Sequence, residues 1–296
     1  MSHRLYPLLF RFLGRLPLGV LHAIGAVLGW AAYLASSEYR VNLRGNLELA
    51  IPGASAALRR SAIAHAGRQI LEMAFLWQRP TDQVLALVRE VSGWEAAESA
   101  LARGEGLMFL TPHLGCFEIT AQFIAARMPF TALFRPPKQA WMRPFMEAGR
   151  DRGDMRSVPT DLSGVRAMMR AIKRHEAIGL LPDQAPGKGE GVWDSFFGRP
   201  AYTMTLAARL SEMPNCTVFL MYGERLPGGR GFHIRFMAPS VPIEGELAQR
   251  VAAINRGVET IIRQRPEQYL WSYKRYKRPA GAEAPPGQER GSRTED

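Results

Sequence analysis

Five short apolar runs, set between amphipathic stretches, are the feature that most narrows what this chain can fold into. Leu107–Thr111, Phe130–Phe134, Ala177–Leu181, Thr217–Tyr222 and Phe232–Met237 each fit one strand and are too short for a buried helix. Phe117–Arg127, Ala140–Arg152, Leu162–His175, Tyr202–Met213 and Glu246–Gln264 carry helical spacing instead. Strands this apolar need cover on both faces. The alternation therefore predicts an α/β fold, a mixed central sheet flanked by helices. Leu226–Gly231, rich in Gly, is expected to turn a hairpin between the last two strands.

Ahead of this pattern, Leu16–Ala35 runs for twenty residues with only His22 and Tyr33 ionisable. At about 1.5 Å per residue it is long enough to cross a hydrocarbon core. Arg4, Arg11 and Arg15 precede it and Arg40 and Arg44 follow it, so its flanks suit anionic head groups without fixing an orientation. The run is too long, and too cationic beyond its end, for a cleaved signal peptide. The expected organisation is an N-terminal membrane-anchoring helix over residues 1–39, a main domain over 40–279 and a disordered tail over 280–296. The plainer reading of the first segment is the buried first helix of a soluble domain.

The formal charge of +11 calls for an anionic partner: nucleic acid, an anionic membrane surface or an acidic protein. Nucleic acid leaves the apolar amino terminus unexplained, and no nucleic-acid-reading module is visible, so that partner is not expected. Cys116 and Cys216 lie in apolar segments, which reads as buried thiols rather than a disulfide scaffold. The six histidines are dispersed and none shows ligand spacing, so no metal is expected. Gly187-Lys188-Gly189-Glu190-Gly191 lacks the Gly-Lys-Ser/Thr ending of a phosphate loop.

The chemistry concentrates in Thr111-Pro112-His113-Leu114-Gly115-Cys116-Phe117-Glu118, directly after an apolar run. An imidazole and a carboxylate this close suit general-base catalysis on a hydroxyl, the carboxylate holding the ring tautomer while the other nitrogen takes the proton. On a regular helix the two would lie about 140° apart. They meet only if His113 precedes the helix in a turn, which Pro112 favours by ending the strand. Gly115 permits close backbone approach, and the helix starting near Cys116 offers free N–H groups for an oxyanion. Cys116 as a nucleophile with His113 as its base is a rival reading, but its neighbours Leu114 and Phe117 are apolar.

His113 through Glu118 resembles the His-x4-Glu/Asp motif of glycerolipid-type acyltransferases, and most closely the lipid A biosynthesis lauroyl/myristoyl branch. Further blocks are similar in the same order: Leu133-Phe134-Arg135-Pro136, Leu162-Ser163-Gly164-Val165-Arg166, Leu181-Pro182-Asp183-Gln184, Phe196-Phe197-Gly198, Glu267–Trp271 and Lys274–Lys277. Together they span roughly residues 40–278. The family often has Asn then Trp before the acidic residue, where this chain has Cys116 and Phe117.

The resemblance implies a membrane-associated enzyme that moves a fatty acyl chain from acyl carrier protein to a hydroxyl of a lipid A precursor. It would sit at the bacterial inner membrane with its catalytic domain on the cytoplasmic side. His113 would be the base and Glu118 its partner, with Gly115 and Cys116 supplying backbone N–H groups. Arg135 and Arg166 are either ordinary surface arginines or binders of acceptor phosphates. Asp183 and Gln184 are expected on the substrate side, Asp183 capping its turn or ordering an arginine there. No cofactor is implied, since acyl-acyl carrier protein is a donor substrate. Lys173, Arg174 or the group Lys274, Arg275, Lys277 and Arg278 would receive the acidic carrier. The alternatives are an acyltransferase for another glycolipid or lysophospholipid, and a non-catalytic membrane lipid-binding protein.

Overall fold

Four helices lead the chain: α1 (Ser2–Arg15), α2 (Leu18–Ala35), α3 (Ser37–Ala50) and α4 (Ala56–Leu76). The Ser36 and Ser55 hydroxyls cap α3 and α4, accepting from the Tyr39 and Leu58 amides at 3.2 and 3.1 Å. The computed structural model describes residues 2–134, 139–150, 152–187 and 189–286. After α5 (Thr81–Leu85) strands and helices alternate: β1 (Val88–Ser92), α6 (Trp94–Ala102), β2 (Gly106–Leu110), α7 (Phe117–Ala125), β3 (Phe130–Phe134), α8 (Arg143–Arg150), β4 (Met155–Pro159), α9 (Leu162–Lys173) and β5 (Ala177–Leu180). The chain closes with β6 (Gly191–Phe196), β7 (Arg199–Met204), α10 (Leu206–Leu210), β8 (Cys216–Arg225), β9 (Phe232–Met237) and α11 (Leu247–Gln264).

Seven strands form one mixed sheet in the order β1-β9-β8-β2-β5-β3-β4, with only the β8–β9 pair antiparallel. This is the expected mixed central sheet flanked by helices. Every residue of β2 is buried. Its side chains alternate between two apolar layers, Leu107 and Phe109 facing α6 and α7, and Met108 and Leu110 facing α9 and α11. From β2 the chain runs outward to β3 and β4, then returns to lay β5 directly beside β2. Such a reversal opens a crevice at the carboxyl ends of the strands, where ligands of open α/β sheets bind.

α2 is 18 residues long with a mean hydropathy of 1.7, enough by length and composition to cross a bilayer. It does not stand apart from the domain. Gly29 faces Gly67 of α4 so closely that a Cβ on Gly67 would overlap the Gly25 and Gly29 backbone, and one on Gly29 would overlap the Ile63 carbonyl oxygen. About two turns away His22 Nε2 bonds the Glu72 carboxylate of α4 at 2.7 Å. The opposite face of α2, with Val20, Val27, Leu28 and Leu34, is exposed.

Tyr202–Met204, expected in a helix, is strand. Phe197 and Gly198 both adopt left-handed φ, 49° and 75°, and turn a tight hairpin that pairs 199–204 with 191–196. The helix that follows is correspondingly only five residues long. Beyond Arg278 the chain continues to pack, with Ala282 buried and the Trp193 indole donating to the Glu283 carbonyl at 2.9 Å. Residues 287–296 of the expected tail lie outside the described residues.

Candidate active site

His113 follows β2 by three residues, and Asp183 and Gln184 follow the adjacent β5, so the neighbouring carboxyl ends of the two strands gather all three. His113 Nδ1 lies 2.9 Å from Asp183 Oδ1, and the His113 amide donates to Oδ2 at 2.9 Å. Burial, and after it the nearby Asp183 carboxylate, push the Tyr269 hydroxyl well above its ordinary value. Burial works to raise the Asp183 carboxyl, but the imidazole and the His113 bonds outweigh it and hold it below the usual carboxylate range. An ionised Asp183 fixes the proton on Nδ1, leaving Nε2 as the acceptor. Gln184 Nε2 occupies that position at 3.1 Å. The imidazole keeps 17% of its surface exposed against 2% for Asp183, so a substrate can reach it.

The loop carrying His113 is clamped from two sides. Leu270 donates to the His113 carbonyl at 3.1 Å, Gly115 donates to the Gln268 carbonyl at 3.0 Å, and Cys116 donates to the Gly223 carbonyl at 2.7 Å. Gly115 has a φ of 61°, and a Cβ there would overlap the Gly223 carbonyl oxygen. Its own carbonyl accepts from Arg225 Nη2 at 2.7 Å. Arg225 Nε in turn pairs with Glu72 at 2.7 Å, both side chains being 1% exposed. The chain His22–Glu72–Arg225–Gly115 thus connects the apolar α2 to the loop carrying His113.

Several expected roles change. Glu118, placed at the first turn of α7, does not hold the imidazole. Its carboxylate accepts from Arg150 Nε at 3.1 Å and from the Trp77 indole at 3.1 Å, and Arg150 Nη2 completes a bidentate pair. His113 does precede the helix in a turn, as the proline suggested. The helix, however, aims Glu118 toward the end of α4 and α8, and Asp183 already fills the ring's donor side. Asp183 and Gln184, expected among the substrate binders, both touch the imidazole instead. The Gly115 and Cys116 N–H groups, expected to serve an oxyanion, are consumed by backbone carbonyls. Cys116 is buried without an imidazole contact among the described residues, and burial pushes its thiol well above the ordinary value. That removes the thiolate a nucleophile would need.

Arg166 is exposed on α9, with no hydrogen bond or ion pair among the described residues. Arg135 lies outside the described residues, as does Lys188. Arg275, expected among cations receiving an acidic partner, is 3% exposed. Its guanidinium donates to the Tyr202 carbonyl and the Thr203 hydroxyl, both at 2.7 Å, and so ties the closing segment to β7. Phe196 and Phe197 stack edge to face at 4.9 Å, a packing role. Thr111, Phe117, Glu118 and Arg150 line a cavity of about 40 Å³ floored by Phe130, Leu133 and Met155. It has room for a few water molecules.

Arg150, Trp77, Glu72, Arg225 and Tyr269 escaped the sequence reading as site residues. For Glu72 a signal existed, since it is the lone acid in the apolar run Ile70–Leu76. The others depend on contacts across more than thirty residues, which no local pattern reports.

Comparison with known proteins agrees with the expected family. The model of the bacterial lipid A biosynthesis acyltransferases matches residues 3–278. The lipid A biosynthesis lauroyltransferase of Escherichia coli K12 is 27% identical over 277 residues, covering 90% of this chain and 89% of that protein. The palmitoleoyltransferase of the same organism is 28% identical over 278 residues, covering 90% and 88%. A lipid A biosynthesis acyltransferase of Haemophilus influenzae is 25% identical over 274 residues, covering 88% and 86%.

Proposed function

The chain belongs to the bacterial lipid A biosynthesis acyltransferase family, a family of O-acyltransferases, and we propose that it transfers a fatty acyl chain from acyl carrier protein to a hydroxyl of a lipid A precursor. The observation that carries the chemistry is the Asp183–His113–Gln184 arrangement at the ends of β2 and β5. The acceptor hydroxyl displaces the Gln184 amide and hydrogen-bonds His113 Nε2. Nε2 takes its proton as the oxygen attacks the thioester carbonyl. Asp183 stabilises the imidazolium through Nδ1–H. Collapse of the tetrahedral intermediate breaks the C–S bond, and the imidazolium returns its proton to the departing thiolate. No acyl-enzyme is needed.

Glu118 in this reading holds Arg150 rather than the base. The pair fixes a guanidinium on the small cavity that Thr111 and Phe117 also line, and in this reading it meets an anionic substrate group. Lys274, Lys277 and Arg278 lie on the segment that clamps the His113 loop. Nearby, the Tyr273 hydroxyl accepts from the Ala185 amide at 3.1 Å, beside Gln184. A basic rim so close to the base suits an acidic carrier delivering its thioester. The apolar outer faces of α1 and α2 suit a bilayer, and in this reading the enzyme works at the inner membrane with its active site on the side where acyl carrier protein is found.

The test is a purified assay with acyl-acyl carrier protein and a lipid A precursor. Product should form with wild type and be lost with His113→Ala. A hydroxyl acceptor other than a lipid A precursor being preferred would redirect the substrate assignment while leaving the chemistry intact.

A further inference from the structure

A cavity of about 760 Å³ opens where the C-terminal end of α1 meets the turn between α4 and α5. Its lining holds Arg11, Arg15, Arg79 and Arg152 together with Gln78 and Gln83, and no acidic residue. Among the described residues none of the four arginines pairs with a carboxylate. Arg79 and Arg152 are held by backbone carbonyls instead: Arg79 Nε donates to Gly14 at 2.9 Å and Nη2 to Arg15 at 2.7 Å, while Arg152 donates to the Trp77 and Arg79 carbonyls. Four positive charges with no carboxylate partner among the described residues, two of them rigidly placed, make a site for an anion rich in oxygen.

The setting of the cavity identifies the anion's carrier. At about 100° per residue, Leu8, Leu9 and Phe12 share one face of α1. They are 61%, 50% and 59% exposed. Arg11 and Arg15 run along one edge of that face, and Phe10 and Gly14 point into the body. An apolar outward face edged by arginines is the pattern of a helix lying in a membrane surface. α2 adds Val20, Val27, Leu28 and Leu34 to the exposed apolar surface. It is held to the body along its length, by the Gly228–Gly229 turn near its start and by α4 through its middle. A helix so attached rests on a bilayer with the domain rather than crossing it alone.

We propose that the four-arginine cavity binds the phosphoryl headgroup of an anionic phospholipid, while the apolar face of α1 lies in the bilayer surface beside it. This deepens the membrane association proposed above and rests on that part of it. The apolar face supplies depth and the cavity supplies preference for negatively charged lipid.

Co-sedimentation of the full-length protein with phosphatidylcholine vesicles, with and without phosphatidylglycerol, tests this. Wild type should favour the phosphatidylglycerol vesicles, and Arg11→Gln/Arg15→Gln should reduce that preference roughly ten- to thirty-fold. Arg209→Gln/Arg256→Gln, which removes the same charge from α10 and α11, should leave it intact. Leu9→Ser/Phe12→Ser should weaken binding to both vesicle types. The proposal is overturned if the control pair lowers the preference as much as the cavity pair, or if the cavity pair changes nothing. It is equally overturned if the cavity pair raises only the KM for the phosphorylated acceptor at unchanged vesicle binding, which would make the site the acceptor's. His113→Ala should bind vesicles like wild type, so the membrane reading and the acyl-transfer reading fail separately.

Discussion

His113 Nδ1 lies 2.9 Å from Asp183 Oδ1, two side chains seventy residues apart that meet because β5 is laid beside β2. The carboxylate that orients the imidazole thus comes from the Leu181–Gln184 segment, not from the local motif. Glu118 of that motif spends its oxygens on Arg150 and Trp77.

Two isosteric substitutions separate these roles. Asp183→Asn removes the partner that sets the tautomer, and kcat should fall by about 10³- to 10⁴-fold. It should also distort the pH–rate profile, because the imidazolium loses its stabilising charge. Glu118→Gln weakens the hold of residue 118 on Arg150 and should lower activity without moving the profile. Steady-state kinetics across pH on both variants checks this, and an altered profile from Glu118→Gln alone would reverse the assignment.

Glu72 gives a stability prediction. Burial works to raise its carboxyl, but Arg225 and the His22 bond outweigh this and lower it from 4.5 to about 2. Between those values the unfolded chain binds more protons than the folded one, so stability rises with pH there. The contribution is fully present above about 4.5 and is lost as the pH falls toward about 2. Glu72→Gln leaves the Arg225 charge buried without a counter-ion and should cost about 3–5 kcal/mol. Chemical denaturation at neutral pH and at pH near 3 should show the variant losing most at neutral pH.

Gly115→Ala places a Cβ against the Gly223 carbonyl at a left-handed φ of 61°. The loop carrying His113 must shift to accept it. A loss of at least about 1–3 kcal/mol is expected, with activity falling further than stability because the base moves. Thermal melting and initial rates measured on one preparation check the pair of effects.

Cys116→Ala should keep most of the activity. The thiol is buried and its ionisation is suppressed, so alkylating reagents should leave the native enzyme active. Complete inactivation by Cys116→Ala in a folded sample would restore the cysteine to the chemistry.

What the sequence made legible follows burial. β2, β3, β5, β8 and β9 are read from their apolar runs, and all five lie inside the sheet. β1 and β4 lie at its edges, and their segments Val88–Ser92 and Met155–Pro159 mix Arg, Glu and Ser with apolar residues. Nothing local marks them as strand, because an edge strand is stabilised by pairing more than by its own burial. The hairpin of β6 and β7 was hidden by the apolar Tyr202–Leu210 stretch, which carries a helical spacing across a strand end.

The site divides in the same way. His113 is legible because a proline and a histidine directly after an apolar run put a base at a strand end. Asp183 is legible as a strand-end acid, but its partner depends on strand order. Strand order is set by crossovers that a sequence pattern does not report. The expectation that Glu118 orients the ring rested on proximity in sequence. The first turn of α7 directs that carboxylate to Trp77 and Arg150 instead.

The most direct measurement is the rate of acyl transfer from acyl-acyl carrier protein to a lipid A precursor by purified wild type and His113→Ala, with circular dichroism on both. The base role predicts unchanged folding and a rate at least about 10²- to 10⁴-fold lower for His113→Ala. A folded His113→Ala protein that transfers the acyl chain at the wild-type rate would contradict it.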